Sequence, residues 1–196
     1  VAGDVQRTAR ALPAQGYVQP YPDSPLDHFN AAENAYLHLI QRADHYVYIT
    51  TPYLILDNEF VTTLKTAAES GVDVRIITPS HPDKWYVHMV SRSYYQTLIQ
   101  SGVKIYEYQP GFIHAKSVMA DREVALIGST NMDYRTFQLH YECGVLLYHM
   151  PAVEELLEDM DTIMAQSQLY TLEEWNQRPW YRRVFASILK LGAIWL

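Results

Sequence analysis

The chain has little of several things, and each shortage removes a class of protein. Its single cysteine, Cys143, excludes an internal disulfide framework and any cysteine-rich zinc module; a reducing compartment is allowed. With 8 Gly in 196 residues and 48% hydrophobic residues, it is neither collagen-like nor low-complexity. Basic residues are scarce, 15 against 22 acids for a net charge of −7, so no nucleic-acid partner is expected of a surface poor in phosphate-neutralising charge. Long apolar runs are missing too. Val145–Leu147 and Ala186–Leu189 fall far short of the roughly 20 residues that span a bilayer. The chain starts at Val1 with no basic-then-apolar leader, which reads as the interior of a longer protein.

What is present is a regular alternation. Residues 1–23, with Pro13, Gly16, Pro20 and Pro22, read as a linker. Ser24-Pro25 supplies a cap and a first-turn proline, and Leu26, Phe29, Tyr36, Leu37, Ile40 and Ala43 share one helical face. Strands are expected at Tyr46–Thr51, Val72–Thr78 and Val103–Tyr108, with helices at Asn58–Ser70 and Lys84–Gln100 between them. His114–Ala120 and Val124–Ile127, separated by Asp121-Arg122-Glu123, read as a hairpin. A strand at Tyr141–Tyr148 and a helix from Pro151 to about Leu169 follow. Helices between early strands and tight turns between late ones predict an α/β domain over residues 24–177, a mixed sheet with helices on both faces.

Residues 151–177 carry seven acids and no base, whereas 178–196 carry Arg178, Arg182, Arg183 and Lys190 and no acid. Residues 178–196 read as a basic amphipathic helix. Its apolar stripe suits either packing on the domain or a lipid interface, with Trp180, Arg182 and Arg183 as membrane contacts. Tyr86, Tyr94 and Tyr95 are candidates to line a lipid entrance.

The chemistry concentrates between Phe112 and Asp133. His114 and Lys116, two apart on an expected strand, leave the same face. The antiparallel return brings Gly128-Ser129-Thr130-Asn131 beside them, offering N–H groups, a hydroxyl and an amide. A cation, close donors and a histidine, without a carboxylate cage for a metal, suit a phosphoryl group. The histidine can attack phosphorus or protonate a leaving alkoxide. Either role wants the ring oriented through its other nitrogen, and Glu142 is the candidate partner. Asp121, at the hairpin turn, is placed to support local geometry. The other seven histidines read as packing or surface residues.

The pattern His114-x-Lys116-x4-Asp121-x6-Gly128-Ser129-x-Asn131 resembles the HKD motif of the phospholipase D superfamily. Thr51-Pro52-Tyr53-Leu54, Gly71–Pro79, Gly102–His114 and Gly128–Phe137 resemble the C-terminal half of bacterial cardiolipin synthases, a similarity running from about Gly16 to the end. The resemblance implies a phospholipase D-like half-domain and transphosphatidylation through a phosphohistidine, joining two phosphatidylglycerol molecules into cardiolipin at the bacterial cell membrane. It implies no metal and no organic cofactor. By position it makes His114, Lys116, Asp121 and Glu142 the catalytic set, with Lys116, Ser129 and Asn131 on phosphate oxygens. Arg135 matches an arginine beyond the motif, with a structural or head-group role. The family builds a site from two HKD copies and this chain has one, so a partner half is implied, from a missing N-terminal domain or a second chain. A homodimeric phosphodiesterase or nuclease, or a silent half that docks on membranes, are the alternatives.

Overall fold

The computed structural model describes residues 16–26, 30–179 and 189. Trp180, Arg182 and Arg183, the expected membrane contacts, lie outside the described residues, as does nearly all of the expected terminal helix. The elements in chain order are β1 (Tyr17–Asp23), α1 (Ala31–Arg42), β2 (Tyr46–Thr50), β3 (Leu54–Ile55), α2 (Asn58–Glu69) and β4 (Asp73–Pro79). Then come α3 (Trp85–Ser93), α4 (Tyr95–Gln100), β5 (Lys104–Tyr108), β6 (Ser117–Ala120), β7 (Val124–Gly128) and β8 (Met132–Asp133). The last are α5 (Tyr134–Leu139), β9 (Glu142–Tyr148), α6 (Pro151–Ala165), β10 (Ser167–Tyr170) and α7 (Leu172–Asn176).

Eight strands form one mixed sheet in the order β1-β9-β7-β6-β2-β4-β5-β10. The β2–β4–β5 pairs are parallel and every other pair in this sheet is antiparallel. Alternating side chains leave opposite faces, so β2 sends Val47 and Ile49 into a core with Tyr36, Ile40, Phe60, Leu64 and Leu98, while Tyr48 joins Met119, Val153, Leu157 and Met160 on the other side. The first face is covered by α1 to α4 and the second by α6, as a mixed sheet with helices on both faces requires.

Four expectations need correction. Residues 17–23, read as linker, form edge strand β1 against β9, with Pro20 opposite Val145 and Pro22 opposite Cys143. An edge strand accepts proline because one side of its ladder needs no donors. The first helix starts at Ala31, not at Pro25, because Asp23 caps it from a distance: its carboxylate accepts from Ala31 N (3.0 Å) and Ala32 N (3.1 Å). Lys84–Gln100 divides into α3 and α4, since α3 packs on β3 while α4 packs on β5 and α7; Tyr94 and Tyr95 are buried there, not at an entrance. The last long helix ends at Ala165, and residues 167–170 become β10, pairing with β5.

Candidate active site

The site grows from the open end of the β6–β7 hairpin. Ser117 pairs with Ile127, and Gly128 N donates to Lys116 O at 3.2 Å, carrying the ladder one residue past the strand. His114 and Lys116 therefore sit in an extended segment just before β6, which begins at Ser117 and not at His114. Gly128 is required by the neighbouring strand: a Cβ here would lie 2.6 Å from Cys143 O and 3.0 Å from Gly144 Cα. That close approach lets Ser129 N donate to Cys143 O (3.0 Å) and Cys143 N donate to Ser129 Oγ (3.1 Å). The Ser129 hydroxyl donates to Glu142 Oε2.

His114 and Lys116 meet as their spacing predicts. Lys116 Nζ lies 3.0 Å from Nδ1 and 3.1 Å from Nε2 of the imidazole and donates to His114 O at 2.7 Å. Burial and then the Lys116 ammonium push the His114 pKa below its ordinary value, opposed by the Asp83 carboxylate. The ring is thereby favoured in its neutral form. Burial likewise lowers the Lys116 pKa, against the attraction of Glu142 and Asp133. A cleft of about 510 Å³ opens beside these groups, lined by Thr50, His114, Lys116 and Ser129 on the sheet side and by Leu156 and Ile163 of α6 opposite. Thr50 Oγ1 is buried and has no hydrogen-bond partner among the described residues.

Glu142 does not meet His114: among the described residues no hydrogen bond joins them. Its Oε2 is taken by Ser129 and its Oε1 lies 3.6 Å from Nδ1 of His140. His140, read from sequence as a packing or surface residue, thus belongs to the site's periphery. Asn131 also departs from expectation. Its Nδ2 donates to Thr136 Oγ1 (3.1 Å) and its Oδ1 is buried without a hydrogen-bond partner among the described residues; the residue lines a second cleft of about 230 Å³ together with Tyr53, Lys84, Arg135 and His140, among others. Asp121 lies at the far end of β6, roughly 16 Å of extended chain from Lys116. There its carboxylate accepts from the backbone N–H of Asp44 (2.7 Å), His45 (2.9 Å) and Tyr46 (2.9 Å). It supports geometry, as its turn position predicts, and is not one of the groups around His114.

Sequence spacing gives no access to Tyr53 and Asp83. The Tyr53 ring meets His114 edge-on, with centroids 6.5 Å apart, Phe112 lies 5.6 Å from the same imidazole, and the Tyr53 hydroxyl donates to Asp83 Oδ2 at 2.5 Å. Thr51 ties this loop to the motif: its Oγ1 accepts from Met132 N at 3.2 Å, and β3 pairs with β8 immediately after. The only signal was the quoted Thr51-Pro52-Tyr53-Leu54 string, which carries no role by itself. Among the described residues no group of His, Cys, Asp or Glu is arranged to hold a metal ion, and no helix is long and apolar enough to cross a membrane.

Residues 36–164 match the family model described as "Cardiolipin synthase, PLD-like domain". A cardiolipin synthase of Geobacillus kaustophilus is 37% identical over 177 residues, covering 90% of this chain and 35% of that protein. The chain thus spans about a third of the length of that curated relative. Among solved structures, a phosphatidylserine synthase of Haemophilus influenzae superposes with a TM-score of 0.69 at 21% identity, over 91% of this chain and 48% of that one. Nuc of Salmonella typhimurium, a phospholipase D family member, gives 0.66 at 20% identity, over 79% of this chain and 98% of that one. At such identities the two structures speak for the fold alone. The fold, the motif geometry and the match over residues 36–164 together place this chain in the phospholipase D superfamily, within its cardiolipin synthase, PLD-like domain family.

Proposed function

We propose that this chain supplies one HKD half of a phosphatidyltransferase that joins two phosphatidylglycerol molecules into cardiolipin. The observation that carries the reading is a neutral-favoured His114 held against Lys116 and Ser129 on one cleft, in a chain 37% identical to a cardiolipin synthase. A histidine nitrogen attacks the phosphorus of the first lipid and the P–O bond to its glycerol headgroup breaks. The departing oxygen takes a proton from the histidine of the other half. The 2-OH-bearing headgroup of the second lipid then attacks through a hydroxyl oxygen, the P–N bond breaks, and that hydroxyl's proton returns to the waiting histidine. Lys116 and the Ser129 turn offset the charge on the phosphate oxygens.

Such a scheme needs a second histidine opposite the first. Ile127, which lines the cleft, is 40% exposed, and Phe112, beside the His114 ring, is 38% exposed, an apolar edge suited to a second HKD half. The membrane is the location this substrate implies. The test is conversion of phosphatidylglycerol to cardiolipin by the longest natural polypeptide that carries this chain, with His114→Ala expected to abolish it; undiminished conversion in that variant overturns the reading. One observation favours a second reading: the match covers 98% of Nuc, a chain made of a single such unit. A homodimer of this chain would then hydrolyse simple phosphodiesters by itself, and a chain that stays monomeric and inert in light scattering and ester hydrolysis excludes it.

A further inference from the structure

A histidine that attacks phosphorus or protonates a leaving oxygen must keep one nitrogen aimed, and a carboxylate on the other nitrogen usually does this. Among the described residues no carboxylate is hydrogen-bonded to either ring nitrogen of His114, and Glu142 is taken by Ser129 and His140. Lys116 Nζ stands 3.0 Å from Nδ1 and 3.1 Å from Nε2, so nearly equal that it selects neither. An exposed imidazole on an extended segment otherwise turns about its two side-chain bonds. Its orientation is left to the rings packed on it. Phe112 lies tilted at 33° with centroids 5.6 Å apart, and Tyr53 stands edge-on at 78° and 6.5 Å, both within the range of aromatic contacts.

Of the two rings, Tyr53 is the one that the fold holds still. Phe112 is 38% exposed and its ring meets Tyr53 at 6.4 Å. Tyr53 is half-buried and anchored at three points. Its carbonyl accepts from Thr51 Oγ1 at 2.8 Å, the next N–H, of Leu54, donates to Ser91 Oγ of α3 at 3.1 Å, and its hydroxyl donates to Asp83 Oδ2 at 2.5 Å. Thr51, Leu54 and Ser91 are buried, and Asp83 is itself fixed, since Oδ1 accepts from Lys84 N at 2.7 Å. Burial and then the Asp83 carboxylate push the Tyr53 pKa up, so the hydroxyl remains a donor. The same carboxylate favours a positive charge on His114. A ring gains that charge when its nitrogen bonds to phosphorus or holds the leaving group's proton.

We infer that Tyr53, anchored through its hydroxyl by Asp83, is the positioning residue of His114, its ring fixing the direction in which the imidazole presents a nitrogen to phosphorus. The assignment rests on the transfer reading above for the reaction, but not for what holds the ring. It gives the Thr51-Pro52-Tyr53-Leu54 segment a role, and it moves the orienting task away from Glu142, which is left to fix the Ser129 hydroxyl and to meet His140. The ring of a residue after β2 and the carboxylate of a residue after β4 thus act on a histidine that precedes β6, as the adjacency of β6, β2 and β4 in the sheet allows.

The test has two arms. In the first, proton NMR follows the His114 ring of this chain through a pH titration, beside Tyr53→Leu, Tyr53→Phe and Glu142→Gln. Tyr53→Leu is expected to remove the ring-current shift of the His114 protons and, by uncovering the imidazole, to raise its midpoint toward the ordinary histidine value. Tyr53→Phe, which keeps the ring, and Glu142→Gln should leave both near wild type. Unmoved His114 signals in Tyr53→Leu, or a larger change in Glu142→Gln, overturn the assignment. In the second arm, the longest natural polypeptide carrying the chain is given phosphatidylglycerol in mixed micelles. Tyr53→Leu is expected to lower kcat about 10²-fold with KM changed by no more than about twofold, and Tyr53→Phe to recover about tenfold of that loss. Asp83→Ala combined with Tyr53→Phe should cost no more than Asp83→Ala alone, because both cut one link. Additive losses overturn the anchor, and a kcat loss matched by unfolding in urea makes Tyr53 structural and overturns the positioning role. A wild-type protein that makes no cardiolipin removes the transfer reading, while the first arm still decides what holds the ring.

Discussion

The two ends of the β6–β7 hairpin use the same motif for opposite purposes. At the closed end Asp121 and Arg122 take left-handed backbone conformations (φ 53° and 57°), and both oxygens of the Asp121 carboxylate are occupied by backbone N–H groups at the start of β2. At the open end His114 and Ser129 are exposed and Lys116 is half-buried, and among the described residues the lysine is bonded to its own histidine and not to an acid. The closed end sets where the open end's partners arrive. Pinning residues 44–46 to the turn fixes β2 in register with β6, Val47 opposite Ala120 and Thr50 opposite Ser117; a slip of one residue would exchange the two faces of β2. Thr50 then borders the larger cleft, and Tyr53, three residues on, reaches His114. One part of the motif builds the frame, and the other presents His114, Lys116 and Ser129 to the larger cleft.

That division breaks if the ends can be exchanged in their effects. His114→Ala is expected to lower transfer by at least about 10³-fold, as loss of a covalent nucleophile or its acid does, with stability changed by no more than about 0.5 kcal/mol because the side chain makes few packed contacts. Urea unfolding beside a lipid assay reads both. Asp121→Ala is expected to do the reverse. Losing a charged acceptor shared by backbone donors costs about 2 kcal/mol, while the folded fraction at 25 °C keeps activity within about threefold. Asp121→Asn, which tolerates the left-handed turn, should recover part of the stability. A catalytic collapse in Asp121→Ala with unchanged unfolding would place that carboxylate in the chemistry after all.

Gly128→Ala sharpens the boundary between the ends, because this residue belongs to the ladder and to the site at once. Its new Cβ would meet Cys143 O, so β7 or β9 must shift and Ser129 with it. We expect about 1–3 kcal/mol of destabilisation together with a loss of transfer of about 10²-fold, since a misplacement of 1 Å at a reacting group costs that much. Full activity in a destabilised variant would show that the Ser129 turn is more forgiving than its tight bonding to Cys143 suggests.

Local sequence carried much of this architecture and the juxtaposition of the candidate groups, because both obey short-range rules. Runs rich in β-branched and aromatic residues mark β2, β4 and β5, helical spacing of apolar residues marks α1, and Gly71 and Pro151 mark the end of α2 and the start of α6. His114, Lys116 and Ser129 are found by spacing alone. What stayed hidden depends on distant chain segments. Pro20 and Pro22 argue against a strand unless it is known that β1 is an edge, which only the sheet order tells. Asp23 caps α1 across a gap of eight residues, so the local Ser24-Pro25 signal is the one that misleads. Tyr53, Asp83 and Lys84 follow strands β2 and β4 and reach the motif because β2 adjoins β6. Glu142 is in register to face Asp23 across β1 and β9, and its carboxylate finds Ser129 and His140 before His114.

The smallest predicted effect concerns the charge around His114, and here sign matters more than size. Burial and the Lys116 ammonium both disfavour the imidazolium, while Asp83 favours it. The folded-state pKa therefore lies below the ordinary histidine value of about 6.5, the ring is neutral at pH 7, and protonation on acidification removes an attacking lone pair. If His114 is the nucleophile, transfer should be level around pH 7 and fall only below the ordinary histidine range; an acid role predicts the reverse limb. Proton NMR of the His114 ring separates the two charges without needing activity. Lys116→Met should raise the midpoint by removing the repelling ammonium, and Asp83→Asn should lower it by removing the opposing carboxylate. Tyr53 does not bear a charge in either variant, since burial pushes its pKa up, and the Asp83 carboxylate adds to this where it is present. Opposite shifts would show that His114 is tuned from both sides of its ring, by its own strand and by the loop after β4. Shifts of the same sign would mean that Asp83 acts through the placement of Tyr53 and not through its charge.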